Sequence, residues 1–302
     1  QLCKTRSYLR SAVRNFLHRM YSVTKSFVAV AIGFAMQEGK LALDDPIEKY
    51  LPNEMIGVKD KYMRELTIRN MLMMATARVD KRWFDYRPPD RVAYYFDDDS
   101  RNTRPAGTIF TYDSAGSFVL GAIVERVTGM TLGEYLRDRL FDKIGVSGEA
   151  HFLKCPGGHS WGDSAILCTA RDLMLVGKFV MNLGKWNGEQ ILDADYLKAA
   201  TSKQIDNNYL GIETCSTQGY GYLIWRTYDN SFYFSGMGCQ YCICVPDKDI
   251  VFVYNGDNLG NEIAKHVIID GFFELISRRA SDAPLPENPE AAKSLIFCSG
   301  RG

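Results

Sequence analysis

Ser22-Val23-Thr24-Lys25 is the tetrapeptide whose residue types and spacing could do chemistry. A helix starting at Ser22, with Ser22 as its N-cap, places Ser22 and Lys25 three apart on one face. The hydroxyl then lies at the positive end of the helix dipole, which favours developing negative charge. The amine lies one turn deeper, beside Phe27, Val28 and Ala29. An exposed lysine is a poor base, with about one in 2,500 neutral at pH 7. Burial favours the neutral amine, which can take the proton of a serine and make it a nucleophile. Ser-x-x-Lys on its own is common, and its ordinary meaning is a capped helix with a solvated lysine.

Two later stretches add to it. Pro105 to Ser114 reads PAGTIFTYDS and runs straight into a helical pattern. Tyr112 and Ser114 can therefore present a phenol and a hydroxyl to one cleft; the plain alternative for Tyr112 is a core aromatic. Ser235-Gly236-Met237-Gly238-Cys239-Gln240 opens a strand-like run. Its glycines let the backbone approach a ligand, and its N–H groups can point at an oxyanion; otherwise it is a bulge or tight turn. Gly158-His159-Ser160-Trp161-Gly162 matches the G-x-S-x-G nucleophile elbow, but Cys155-Pro156-Gly157 precedes it where a strand is needed. A loop lining the cleft fits better, with Trp161 as a substrate wall or a packed ring and Asp163 as a polar contact.

The elements that must position these residues follow from periodicity. Ser22 to Glu38 reads as a helix that is apolar nearly all round, ended by Gly39. Thr67 to Ala75 is a short helix capped by Thr67, and Arg78 to Thr111 an irregular connection whose aromatics from Trp83 to Tyr95 line the cleft. Its acidic run Asp97-Asp98-Asp99 reads as a solvated loop. Helical patterns return at Ser114–Val127, Leu132–Leu140, Ala170–Leu183 and Ala194–Ala200. Gly221–Arg226, Ser231–Phe234, Gln240–Val245 and Ile250–Tyr254 then read as antiparallel strands, followed by a helix over Gly260–Ser277. Gln1 to Leu17 lacks paired strands, and Ser7 to Leu17 resembles a basic helix. The class is α+β: an antiparallel sheet flanked by helices plus a mainly helical region. Residues 1–280 are expected to form a single unit, with a helical region at about 40–200 set against a sheet at about 219–256. Residues 281–302 are expected to be a loose tail.

Composition sets the outer limits. The chain has 302 residues, with 36 Lys+Arg against 36 Asp+Glu. That balance gives no basic field for a phosphate backbone, so no nucleic-acid partner is expected. Its longest apolar run, Phe27 to Met36, is too short to span a bilayer, which needs about 20 residues. No signal peptide is visible at the start, although the chain begins with Gln and a lost leader is compatible with it. Eight cysteines and four scattered histidines show no metal-ligand spacing, and the cysteines read as reduced, mostly buried thiols in a cytoplasmic protein. There is no Walker A sequence and no G-x-G-x-x-G after a strand, so neither a metal nor a nucleotide cofactor is expected.

SVTK at 22–25, then PAGTIFTYDSAGSFVLGAIVERVTG, then GYGYLIWR with YFSGMGCQY resemble the β-lactamase-related serine hydrolases. These include class C β-lactamases, penicillin-binding DD-peptidases, and esterases and amidases similar to 6-aminohexanoate-dimer hydrolase. The resemblance runs from Arg19 to Ile276. It implies a β-lactamase/DD-peptidase-like fold and hydrolysis of an ester or amide bond, β-lactams and D-amino-acid peptides included. It also implies an acyl-enzyme on Ser22 and a small-molecule substrate, with no cofactor and no membrane partner. Lys25 would share the proton work and Tyr112 would act as partner base or proton shuttle. Ser114 would hydrogen-bond Lys25 or substrate. Ser235, Met237, Gly238 and Cys239 would line the substrate strand, with an oxyanion hole from the Ser22 N–H and one N–H near Met237 to Cys239. Two departures from the family pattern stand out. Ser235 occupies the place where the family often carries Lys or His, which favours a neutral ester or amide. Only 21 residues precede Ser22, so the sheet is expected to lack N-terminal strands. That shortening also fits a second function, a catalytically impaired domain of this fold that binds or senses a ligand.

Overall fold

The computed structural model describes residues 16–77, 88–97, 103–258, 262–283 and 290. Residues 7–15 of the expected basic helix Ser7–Leu17, residues 83–87 of the aromatic lining, Asp98 and Asp99, and nearly all of the tail from 284 onward lie outside them. No single helix among the described residues is long and apolar enough to cross a membrane.

The first element is a two-residue strand, β1 (His18–Arg19), followed by a turn of 3-10 helix, Tyr21–Val23, and by α1 (Thr24–Gln37). The expected cap at Ser22 is not made. Ser22 sits inside the 3-10 turn, and Val23 takes the N-cap position with no side-chain hydrogen bond. Lys25 offers the Ser22 hydroxyl a donor of its own, so the hydroxyl is not spent on the helix N-terminus. Residues 24–35 of α1 are buried, as an all-round apolar pattern requires, and Gly39 follows at φ +69.

Short helices α2 (Lys61–Arg64), α3 (Ile68–Leu72) and α4 (Arg91–Phe96) come next. Thr67 and Asn70 form a reciprocal capping box on α3. The α4 helix falls in a stretch read from sequence as irregular. Asp90 caps it, and Val92, Tyr95 and Phe96 turn inward, a six-residue amphipathic turn too short to show a period. Then follow α5 (Ser114–Thr128), α6 (Leu132–Leu136), a π turn at Arg137–Phe141 and α7 (Asp142–Ile144). Asp113 caps α5 through the Gly116 N–H at 2.9 Å and also accepts the Tyr95 and Thr76 hydroxyls.

β2 (His151–Phe152) and β3 (Ile166–Cys168) join β1 in a small antiparallel sheet of order β1-β3-β2. α8 (Ala170–Met181) leads to the hairpin β4 (Lys185–Trp186) and β5 (Glu189–Gln190), and then to α9 (Ala194–Thr201). The last sheet runs in order β6-β7-β8-β9, from β6 (Trp225–Arg226), β7 (Phe232–Gly236), β8 (Gln240–Val245) and β9 (Ile250–Asn255). β6 is shorter than expected from Gly221–Arg226 because Leu223 takes φ +54, which breaks an extended run. All four strands of this sheet come from after Ser22, and β1 pairs elsewhere.

Helices cover both faces of the sheet. α8 lies on β8 through Gly177, where an added Cβ would fall 2.3 Å from Cys242 Sγ. α10 (Glu262–Leu275), followed by a 3-10 turn at Ser277–Arg279, covers the other side, with Phe272 stacked on Phe252 at 4.6 Å between centroids. Cys242 and Cys244, two apart on β8 and so on one side of it, face α8, and their thiols lie near the carbonyls of Leu173 and Gly177.

Candidate active site

Ser22 and Lys25 meet as their spacing demands. Lys25 Nζ donates to Ser22 Oγ at 2.9 Å and to the carbonyl oxygen of Asp163 at 2.7 Å, and the lysine is 1% exposed. Three local features hold this pair. Tyr21 adopts φ +44, a costly conformation for a residue with a Cβ, and turns the chain into the 3-10 turn that carries Ser22. Thr24 Oγ1 donates to the Tyr21 carbonyl and accepts the Ile166 N–H at 3.1 Å, tying the start of α1 to β3. Gly162 lets the 160–164 segment slip between α1 and α5. An added Cβ there would lie 3.2 Å from Val28 Cγ2 and from Leu132 Cδ1.

Tyr112 reaches the same place from the end of the loop before α5. Lys25 Nζ lies over its ring, 5.1 Å from the centroid, within cation–π range. The amine faces the ring and has no hydrogen bond to the phenol oxygen. Catalytic hydrogen bonds often close only when substrate is present. The ring is stacked on Trp225 at 5.7 Å and 20°. Trp225 in turn packs against Phe110, Tyr220 and Tyr233. Burial pushes the Tyr220 and Tyr233 hydroxyls well up, so this aromatic wall stays neutral.

β7 closes the third side. An added Cβ on Gly236 would meet the Met20 carbonyl at 2.6 Å, so the strand end lies directly against the turn that carries Ser22. In the turn from β7 to β8 the Cys239 N–H donates to the Gly236 carbonyl at 3.0 Å and the Gly238 N–H to Gln240 Oε1 at 3.1 Å. Those two amides are therefore engaged. The N–H groups of Met237 and Ser22 donate to no acceptor among the described residues. Cys239 is 1% exposed and packs with Tyr241 in the core beneath α10, so its thiol faces away from any cleft; Met237 is 47% exposed. Ser235 is half-buried on β7 opposite Tyr241.

The remaining expected site residues are placed differently from one another. Ser114 is the buried first residue of α5 and makes no hydrogen bond to Lys25. Trp161 is half-buried, with the Arg91 guanidinium 5.3 Å from its ring. Ser160 is buried in a loop with neither a strand before it nor a helix after it, which removes the nucleophile-elbow geometry. Glu125 on α5 holds that loop: its Oε1 accepts the Ser160 N–H at 3.1 Å, and its Oε2 lies 2.7 Å from His159 Nδ1. Asp163, expected as a polar contact in the cleft, is buried at 1% exposure. Sequence reading missed its main role here, the carbonyl that holds Lys25. A backbone acceptor has no side-chain signature, and only the Gly162 before it marks the close approach.

Chemically, the arrangement offers a hydroxyl bonded to a buried amine, an aromatic phenol ring beneath that amine, and the N–H groups of Ser22 and Met237 without an acceptor among the described residues. Among the described residues no group of three or more His, Cys, Asp or Glu side chains is placed to hold a metal ion.

Residues 10–261 match the family described as Beta-lactamase. The chain belongs to the beta-lactamase family. The 6-aminohexanoate-dimer hydrolase of Paenarthrobacter ureafaciens is 26% identical over 196 residues, which covers 60% of this chain and 50% of that protein. Penicillin-binding protein 4 of Amycolatopsis lactamdurans is 32% identical over 129 residues, 41% of this chain and 33% of the relative. Among solved structures, the octameric penicillin-binding protein homologue from Pyrococcus abyssi superposes with a TM-score of 0.72 at 21% identity, over 96% of this chain and 71% of that one. That likeness establishes the α+β fold of the beta-lactamase family. The chain spans about half the length of the curated relatives it matches. Family members of this kind are hydrolases, and the Ser22, Lys25 and Tyr112 cluster lies where the fold brings α1, the α5 loop and β7 together.

Proposed function

We propose that this chain is a serine hydrolase that cleaves an ester or amide bond through an acyl-enzyme on Ser22. The observation that carries the reading is the 2.9 Å hydrogen bond from the buried Lys25 amine to the Ser22 hydroxyl. In the neutral state of the amine, the Ser22 proton passes to Lys25 as Ser22 Oγ attacks the substrate carbonyl carbon. The carbonyl oxygen becomes an oxyanion and accepts from the N–H groups of Ser22 and Met237. Collapse breaks the ester or amide bond. The leaving oxygen or nitrogen takes the proton from Lys25, with Tyr112 as the relay beside it. Water then attacks the acyl-enzyme, gives its proton to the same pair, and releases the acid with Ser22 restored.

Ser235 supports a neutral substrate. A serine hydroxyl on β7 gives a substrate carboxylate a hydrogen bond but no counter-charge, so a plain ester or amide suits the strand better than an anionic β-lactam or peptide terminus. The described cysteines are buried and form no disulfide with one another, which supports a reducing, cytoplasmic setting. The site draws on α1, the α5 loop and β7, which supports reading residues 1–280 as one catalytic unit.

Turnover of p-nitrophenyl acetate by the full chain tests the reading. The expected result is hydrolysis that falls about a thousandfold or more in Ser22→Ala. Retention of most activity in the purified variant contradicts it, and no turnover or labelling in the parent chain favours a ligand-binding domain instead.

A further inference from the structure

Asp163 takes part in the site through its backbone, but its side chain has no role in the chemistry above. Its carbonyl oxygen holds Lys25 Nζ at 2.7 Å, while both carboxyl oxygens are buried without a hydrogen-bond donor among the described residues. Covalent geometry keeps that carboxyl within about 8 Å of the amine, because only the Cα and Cβ links separate it from the bonded carbonyl. The charged groups that face it are Lys25 on α1 and Arg91 on α4. The Ser164 hydroxyl and the Asp163 N–H approach without reaching hydrogen-bond geometry, and Ser164 is itself held by Arg19. The groups on the amine are Ser22, the Tyr112 ring and Asp163. Packing alone has no need of a carboxylate here, since a buried ion with no donor is unfavourable and a neutral side chain of equal size would cost less.

We propose that Asp163 is a positioning residue for the hydrolysis proposed above: its carbonyl fixes the Lys25 amine against Ser22, and its buried carboxyl sets the pH at which that amine is free to take the serine proton. The proposal rests on the serine-hydrolase reading. A carboxylate beside Lys25 favours the ammonium, which has no lone pair to accept the Ser22 proton. Burial pushes Asp163 up towards its neutral acid, while Lys25 and Arg91 pull it back.

The test is the pH profile of kcat/KM for p-nitrophenyl acetate in the wild-type chain, Asp163→Asn and Asp163→Ala. Both variants keep the backbone carbonyl and lose the charge. The acidic limb is expected to move to lower pH by about one unit or more, the size of one charge about 8 Å away at an effective dielectric near 20. An unshifted limb with a uniform loss of rate overturns the proposal, and so does failure of both variants to fold, since the carboxyl would then be structural. Ser22→Ala measured in parallel separates the two claims. Activity surviving there sinks the serine mechanism, whereas its loss beside an unshifted limb in the Asp163 variants sinks only the role of Asp163.

Discussion

At the scale of single residues, the site turns on an amine that is buried and held from two sides. Lys25 has Ser22 on one side and the Asp163 carbonyl on the other, so its geometry is set before substrate arrives. Lys25→Ala should lower kcat for an activated ester by about a thousandfold or more while leaving the circular dichroism spectrum in place. Tyr112→Phe removes only the phenol oxygen and keeps the ring on Trp225. Its expected effect is a fall in kcat of about a hundredfold, with an unchanged melting temperature. A variant that unfolds would make the ring a core residue and nothing more. That Ser22, Lys25 and Tyr112 could meet was legible in the sequence, because a spacing of three fixes the first two one turn apart and the three motifs together resemble those of one family. The Asp163 carbonyl and the free Met237 N–H were not individually legible, because any residue type supplies a carbonyl or an amide and only the fold decides which is left over.

At the scale of elements, glycines and a half-buried His–Glu pair keep the pieces of the site together. Gly33 on α1 leaves room for the Tyr196 ring of α9, where an added Cβ would fall 2.5 Å from Tyr196 Cε1. That ring is locked by its own hydroxyl, which donates to the Ala29 carbonyl at 2.6 Å. Gly33→Ala should therefore destabilise the fold by about 1–3 kcal/mol, the usual cost of overpacking, as read from urea unfolding. The 153–162 loop depends on the His159–Glu125 pair, in which the hydrogen bond to Glu125 raises the His159 pKa above its ordinary value. A raised histidine value stabilises fully below about pH 6.5, and the effect is lost as pH rises through the folded-state value. His159→Gln should thus lower the melting temperature more at about pH 6 than at about pH 9. Equal losses at both would show that the pair carries no charge-dependent stability. The long helices were readable from their period, as α1, α5 and α8 show. The two-residue strands β1 and β2 were not, because their pairing with β3 is decided by tertiary contact. The β4–β5 hairpin had a readable signal in Asn187-Gly188, where φ is +49 and +89, as a tight two-residue turn requires.

At the scale of the whole molecule, the sheet and its helices bury the described cysteines without joining them. Cys155, Cys168, Cys215, Cys239, Cys242 and Cys244 are buried and form no disulfide with one another, and burial pushes the Cys168 and Cys244 thiols well up. A thiol reagent added to the native chain should leave these six unmodified, and each should react once denaturant exposes it. Fast native labelling at any of them would mean that the packing of α8 and α10 on the sheet is looser than described. The fold class itself was readable from the switch between helical and alternating patterns after about residue 200. The way α1, the α5 loop and β7 converge on one point was not, since convergence is a property of topology and no stretch of sequence contains it.

The most direct test of the central claim is peptide mapping by mass spectrometry after a brief reaction with a fluorophosphonate. The expected result is a single adduct on Ser22 that forms in the wild-type chain and is strongly reduced in Lys25→Ala. An adduct on Ser160, or labelling of Ser22 that is indifferent to Lys25, would contradict it.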